Sequence, residues 1–194
     1  LGRPGPRYQS DRSGRKPSPL AVGGRLFLEG LDRIVALDSY NGTVLWSVEI
    51  PGFQRFNVAR DSSNWCADSE NVYAVVRDRV WQIDAINGYI QYTYPVSQIE
   101  RANWKTEWGF VARTEQHLIG SSVKAGSGWQ EYWGKLGWHD ERSGESTFQV
   151  CSDRLFARSV DDQSSAWEWS NGVIINSSIT IAKNVVYFVE CRHP

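Results

Sequence analysis

The feature that most constrains the fold is a segment that occurs twice, 46 positions apart. The recurring positions keep the same order in both copies, and they are Leu26 and Val72, Phe27 and Tyr73, Asp32 and Asp78, Arg33 and Arg79, Asp38 and Asp84, Asn41 and Asn87, Gly42 and Gly88, and Trp46 and Tyr92. A fixed period of about 40–45 residues is typical of arrays of small four-stranded sheets. The repeat therefore predicts a row of similar units.

Each copy has the same internal order. A short apolar run is followed by a polar turn, a second apolar run, an Asn-Gly turn and a third run that ends on an aromatic residue. Short runs of aliphatic and aromatic residues between Gly, Asp and Asn are typical of strands. Asn-Gly between two such runs favours a hairpin, because both residues tolerate positive φ. Each unit is therefore expected to be a four-stranded antiparallel sheet, which we call a blade. We predict one complete blade over 18–50 and a second over 65–94.

The third copy starts in phase and then departs from the period. The spacing of Ala36, Asp38, Gly42 and Trp46 has two possible continuations, one from Trp138 to Phe148 and one from Ala157 to Trp167. We favour the second, because residues 174–180 and 185–190 then form the inner strand pair of the next blade. This gives a third blade over 108–170 with an insertion near 123–150, and the start of another blade over 174–194.

Helical periodicity is nearly absent, since no long window has apolar residues at i, i+3, i+4 and i+7. We therefore predict an all-β protein, a β-propeller of four-stranded antiparallel blades. About three and a half blades do not close a ring, since propellers typically have about four to eight. Together with the absence of Met, this favours a fragment of a longer propeller, with the remaining blades of the same longer chain as its partners.

The segment from Ala36 to Trp46 closely resembles the Ala-x-Asp-x-x-Thr-Gly-x-x-x-Trp signature of PQQ-like (quinoprotein-type) β-propeller repeats. In the second copy Gln82 replaces the Ala and Tyr92 replaces the Trp. The resemblance implies that the aromatic residue packs between adjacent blades and that Ala and Gly permit close contact around it. The docking positions that it implies are Ala36, Gly42, Trp46, Gly88, Tyr92 and Trp167.

The residues at 2–7, 62–66 and 186–190 are similar to those of PQQ-like propeller proteins of planctomycete-type bacteria. That resemblance implies a periplasmic or cell-envelope location. Residues 1–17 are rich in Pro, Gly and basic side chains, and we expect them to form a connector that does not fold alone.

Composition narrows the classes of partner. The net charge of −1 provides no basic field for nucleic acid, and no apolar stretch approaches the ~20 residues of a membrane span. Cys66, Cys151 and Cys191 fit no complete disulfide framework. Buried free thiols and a single disulfide both remain open.

Two interblade loops carry the candidate ligand-binding residues. Loops held on a rigid scaffold are where binding residues concentrate, and the candidates are Arg60, Asn64, Trp65, Arg101, Trp104 and Trp108. The Arg guanidinium can form bidentate hydrogen bonds with a carboxylate or phosphate, and Trp offers a large apolar face to a flat ligand or a sugar. The competing interpretation is that these residues order and pack the loops.

No catalytic residue can be identified from the sequence. His117, His139 and His193 lack the spacing of a zinc site. We therefore favour a non-catalytic binding or scaffolding propeller, with a protein, small molecule or carbohydrate as its ligand and no evident cofactor. The alternatives are a quinoprotein oxidoreductase that binds PQQ with calcium, and an accessory propeller attached to an enzyme domain outside these residues.

Overall fold

The computed structural model describes residues 18–30, 32–53, 64–97, 104–125 and 151–192. Within these ranges the chain forms antiparallel β-sheets and one 3₁₀ turn, Asn176–Ser178. The prediction of an all-β fold built from four-stranded antiparallel blades is confirmed.

The first two blades have the same strand order and register. Their strands are β1 (Leu20–Val22), β2 (Arg25–Gly30), β3 (Arg33–Asp38) and β4 (Val44–Glu49), followed by β5 (Trp65–Ala67), β6 (Asn71–Val76), β7 (Arg79–Asp84) and β8 (Ile90–Pro95). In each blade the strands lie side by side in chain order. Ala36 lies opposite Trp46 and Gln82 lies opposite Tyr92, and the register shifts directly after each pair. The sequence repeat is thus also a repeat of strand register.

The third blade draws its strands from both sides of the expected insertion. Its members are β9 (Thr106–Arg113) and β10 (His117–Lys124), and then, after the short β11 (Cys151–Ser152), β12 (Arg154–Ser159) and β13 (Ser165–Trp169). β12 pairs with β10, and Ala157 lies opposite Trp167. The structure therefore uses the continuation that ends at Trp167. β10 extends to Lys124, into the range expected for the insertion, and 126–150 lie outside the described residues.

The fourth unit contains two interrupted strands. They comprise β14 (Val173–Ile175) and β15 (Thr180–Ala182) on one side, and β16 (Val185–Tyr187) and β17 (Glu190–Cys191) on the other. β15 pairs with β16, and β14 pairs with β17 and with β11. The sequence predicts two continuous inner strands at 174–180 and 185–190. The 3₁₀ turn interrupts the first of them. Lys183 and Asn184 both have positive φ, as Gly23 and Gly24 do in the first blade.

Among the described residues, the buried apolar side chains form three clusters, and each cluster lies between two neighbouring units. Strand β6 illustrates this arrangement, because all six of its residues are buried. Val72, Ala74 and Val76 belong to the cluster shared with the first blade, while Tyr73 and Val75 belong to the cluster shared with the third. Successive side chains of a strand point to opposite faces. The inner strands therefore bury both faces between neighbouring blades.

Candidate functional site

The junction between the first two blades is built around Trp46. Its side chain is 8% exposed, and its indole Nε1 donates a 3.0 Å hydrogen bond to the carbonyl oxygen of Ala85. A Cβ at Gly88 would lie 2.8 Å from the Trp46 ring. The glycine thus allows the indole to lie flat against the second blade. Ala36, opposite Trp46 in the sheet, is fully buried.

The other residues expected at docking positions differ from Trp46 and Gly88. Tyr92 is 39% exposed and Trp167 is 37% exposed. In the third blade Gln163 stands where the first two have Gly42 and Gly88, and it keeps a positive φ of 63°. A Cβ at Gly42 would meet no atom within 4 Å. Among the described residues no neighbouring unit packs against Gly42, so close contact there stays a prediction, while its positive φ of 73° accounts for a glycine at this position.

Three of the candidate ligand residues are interior. Asn64 is fully buried and its Nδ2 donates to Glu29 Oε2 at 3.2 Å. Trp65 is buried, with its ring edge-on to Phe53. Trp108 is 1% exposed, and its Nε1 donates to the carbonyl oxygen of Tyr94 at 3.1 Å. In the described part of the chain these side chains hold blades together and present no open face.

Trp104 has a different environment. Its side chain is 43% exposed, and the Lys124 ammonium lies 5.7 Å from the ring centroid. A cation at this distance over a Trp face is attracted by the ring quadrupole. The pair combines an apolar face with a positive charge at the start of the third blade. The remaining candidates, Arg60 and Arg101, lie outside the described residues.

A polar cluster between the second and third blades was missed by the sequence interpretation. Arg113 Nε donates to Asp68 Oδ2 at 3.1 Å, and the Tyr73 hydroxyl donates to the same oxygen at 3.4 Å. Burial, with a smaller contribution from Asp68, raises the pKa of Tyr73 to about 12. The same two causes raise the pKa of the neighbouring Cys66 thiol. Asp68 and Arg113 are 45 residues apart, and this separation, close to the repeat period, could have indicated the contact.

A second missed feature is a cavity of about 230 Å³ between the third blade and the fourth unit. Its lining comprises Thr114, Glu115, Gln116, His117, Ile119, Trp167, Ile181, Asn184 and Val186. We call this space the Trp167 cavity. Its wall combines the indole of Trp167, aliphatic side chains and polar turn residues.

The three cysteines are free thiols in the structure. Within the described ranges no three His, Cys, Asp or Glu side chains are grouped so that they could hold a metal ion. The same ranges contain no helix that is long and apolar enough to cross a membrane.

Comparisons with known proteins define the fold. No family model matches the chain, and no curated protein matches it. Among solved structures, the quinohemoprotein alcohol dehydrogenase of Comamonas testosteroni superposes with a TM-score of 0.52 and 14% identity, over 80% of this chain and 21% of that chain. A quinohemoprotein alcohol dehydrogenase of Pseudomonas putida gives 0.50 and 15%, over 79% and 20%. A europium-containing methanol dehydrogenase gives 0.51 and 13%, over 88% and 36%.

The chain has the fold of a PQQ-like β-propeller. It spans about a fifth of the length of the two alcohol dehydrogenases and about a third of the methanol dehydrogenase. At sequence identities of 13–15%, the similarity to these structures shows a shared arrangement of strands and nothing further.

Proposed function

We propose that this protein is a non-catalytic binding or scaffolding propeller, located in the periplasm or cell envelope. The observation that carries the proposal is the difference among the candidate tryptophans. Trp65 and Trp108 are buried at blade junctions, whereas Trp104 is 43% exposed beside the Lys124 ammonium. A rigid scaffold that offers an aromatic face and a cation suits recognition of an acidic protein segment or a carbohydrate.

The rigidity of the surface comes from the junction beneath it. Trp108 follows Trp104 in the same stretch, and its ring lies edge-on to Phe156 with 4.8 Å between ring centroids. Lys124 ends β10, which pairs with β9 along most of its length. Both members of the exposed pair are therefore attached to buried strands. A ligand would meet a surface that is already ordered, which lowers the entropic cost of binding.

Tryptophan fluorescence can test the proposal. The chain is titrated with a soluble oligosaccharide series and with an acidic peptide, and a saturable change is expected for one of them. Trp104→Ala should remove that change, because the aromatic face is lost. Tyr40→Ala should keep it, since Tyr40 lies on the β3–β4 turn of the first blade and is almost fully exposed. A saturable response that is equal in wild type and Trp104→Ala would exclude Trp104 as the contact.

The alternative is a PQQ-dependent oxidoreductase with calcium in the ring. Titration of the full-length protein, with all its blades, with PQQ and Ca²⁺ distinguishes the two functions. Under the binding function the absorbance spectrum of PQQ stays unchanged. A saturable, calcium-dependent shift would favour the quinoprotein alternative. An accessory propeller attached to an enzyme domain would give the same result as the binding function in both titrations.

A further inference from the structure

The third blade reverses the charge at one position of the repeat. Asp32 in the first blade is followed 46 residues later by Asp78 and, after another 46 residues, by Lys124. Lys124 is exposed at the end of β10, where it lies opposite Thr106 of β9. Its ammonium is the one that lies 5.7 Å from the centroid of the Trp104 ring. The reversal therefore places a positive charge at the candidate binding surface.

A second cation of the third blade replaces an aliphatic residue. Arg158 directly follows the register shift in β12, as Leu37 does in β3 and Ile83 does in β7. Ile83 is fully buried in the cluster between the first two blades. The Cζ atom of Arg158 lies 5.8 Å from the centroid of the Phe156 ring, and its Nη2 donates to Ser97 Oγ at 3.0 Å. An aliphatic side chain is sufficient for packing at this position, so packing does not account for the charge of Arg158.

Arg154 reaches the same residue of the second blade. Arg154 and Arg158 are four positions apart in β12, so both side chains leave the same face of the sheet. Arg154 Nη2 donates to the carbonyl oxygen of Ser97, and its Nε donates to Ser122 Oγ at 3.2 Å. Its Nη1 lies 3.3 Å from Glu168 Oε1. Among the described residues, no acceptor meets the buried Nε of Arg158.

Two more cations lie at the same end of the junction between the second and third blades. Ser97 lies two residues after Pro95, which is opposite Arg79 in the sheet. Hydrogen bonding from Arg79, with a smaller contribution from Lys105, lowers the pKa of the Asp78 carboxyl, so Lys105 lies near this pair. The backbone of Lys105 is in turn joined to β10, since its carbonyl oxygen accepts from the N–H that follows Lys124, at 2.8 Å.

We call this set of five cations the cationic rim, and its members are Arg79, Lys105, Lys124, Arg154 and Arg158. Two of them are paired with carboxylates, Arg79 with Asp78 and Arg154 with Glu168. The other three form no ion pair with a described residue. The junction thus carries positive charge that the described carboxylates do not pair.

We propose that the cationic rim and Trp104 together bind an acidic segment of a protein partner. The inference rests on the proposed binding function and selects the acidic segment over carbohydrate as the ligand of the Trp104 surface. The Arg158 guanidinium can form bidentate hydrogen bonds with a carboxylate, while Trp104 offers an apolar face to the rest of the segment. The net charge of the chain is −1, so the positive potential is local. A local patch suits a short acidic segment better than a nucleic acid, whose phosphates are bound by a longer row of cations.

Fluorescence anisotropy of a labelled Glu-rich peptide, titrated with the full-length protein, tests the proposal. The expected result is saturable binding that weakens as ionic strength rises from about 0.01 M to about 0.15 M, because the screening length falls from about 30 Å to about 8 Å. The same peptide with every Glu changed to Gln should not bind. Lys124→Gln and Arg158→Gln should each weaken binding by about fivefold. Arg158→Lys should weaken it less than Arg158→Gln, because it keeps the charge and loses only the bidentate geometry.

Arg33→Gln is the matched control. Arg33 begins β3 as Arg154 begins β12, so this change removes the same charge from the equivalent position of the first blade and should leave the affinity for the peptide unchanged. Thermal unfolding of each variant reports whether it is folded. Equal affinity in wild type, Lys124→Gln and Arg158→Gln would overturn the inference.

The outcomes also separate this inference from the proposed function. A saturable response to an oligosaccharide that Trp104→Ala removes, without binding of the Glu-rich peptide, would overturn the acidic partner and leave the binding function standing. No saturable response to the peptide or to the oligosaccharides would overturn both. A labelled single-stranded oligonucleotide that binds more tightly than the peptide would assign the cationic rim to nucleic acid and overturn the proposed class of partner.

Discussion

Glycines at equivalent repeat positions can have different surroundings. Gly42 and Gly88 both have positive φ, 73° and 77°. A Cβ at Gly42 would meet nothing within 4 Å, whereas one at Gly88 would lie 2.8 Å from the Trp46 ring. The pair therefore separates the cost of a left-handed backbone from the cost of a steric clash.

Gly42→Ala should lower the free energy of unfolding by about 1–2 kcal/mol, the cost of a side chain in the left-handed region. Gly88→Ala should cost about 1–3 kcal/mol more, because the new methyl group overpacks the Trp46 site. Urea denaturation followed by circular dichroism measures both changes. Equal losses would show that the indole does not rest on Gly88.

The Cys66 thiol makes stability depend on alkaline pH. Its pKa in the folded protein lies above the ordinary value of 9.0 because of burial and the Asp68 carboxylate. The folded state therefore holds its proton at a pH where the unfolded state releases it. The stabilisation is complete below pH ~9 and decreases as pH rises, since stability falls wherever the folded state binds more protons.

Thermal unfolding of wild type and Cys66→Ala between pH 7 and pH 11 tests this expectation. Below pH ~9 the two Tm curves should run parallel, offset by the lost packing. Above that pH the wild-type curve should fall more steeply. A constant offset across the whole range would contradict a buried, protonated thiol. The raised pKa of Tyr73, about 12, adds a further loss for both proteins above pH ~10.

At the scale of the strands, an ion pair joins two neighbouring blades. The sequence repeat gives only the spacing of its two residues along the chain and does not show that they are in contact. Asp68 precedes β6, Arg113 ends β9, and their 3.1 Å contact crosses the junction between the second and third blades. Both side chains are partly buried. Their pairing should therefore contribute somewhat more than an exposed ion pair, which is typically worth about 0–1 kcal/mol.

A double-mutant cycle with Asp68→Asn and Arg113→Gln should give a coupling energy of about 1–2 kcal/mol in urea denaturation. Arg79→Gln with Asp78→Asn is the matched control, because these two residues are neighbours within one β-hairpin and are exposed. The control coupling should be below about 1 kcal/mol. A coupling for Asp68 and Arg113 no larger than the control would show that packing alone joins these blades.

Strand positions were predictable because each strand carries a local signal. The alternation of apolar residues and the Asn-Gly turns define the first two blades without any tertiary information. The role of Trp108 was not predictable in this way, since an aromatic residue near a loop is equally suited to packing and to binding. Its burial depends on Gly120, where a Cβ would clash with the indole. A glycine within an apolar strand signals such close approach, but only the pairing of β9 with β10 identifies its partner.

At the scale of the whole molecule, the period predicted blades but not the spaces between them. The Trp167 cavity is formed by three separate segments, the β9–β10 turn, β13 and the β15–β16 hairpin. The candidate surface at Trp104 and Lys124 likewise brings together the start of β9 and the end of β10, which lie side by side in the antiparallel pair. Such sites depend on strand register. Within one sheet the hydrophobic pattern determines that register, but the sequence does not show how residues of neighbouring blades align with each other.

The three apolar clusters have a consequence for how the array unfolds. Each cluster takes its residues from two neighbouring units, so a blade removed from its neighbours would retain no complete core. Opening the second blade breaks its interfaces with both the first and the third. In an array held by nearest-neighbour interfaces, the stability of each blade therefore depends on the blades beside it, and damage to one blade weakens those on either side.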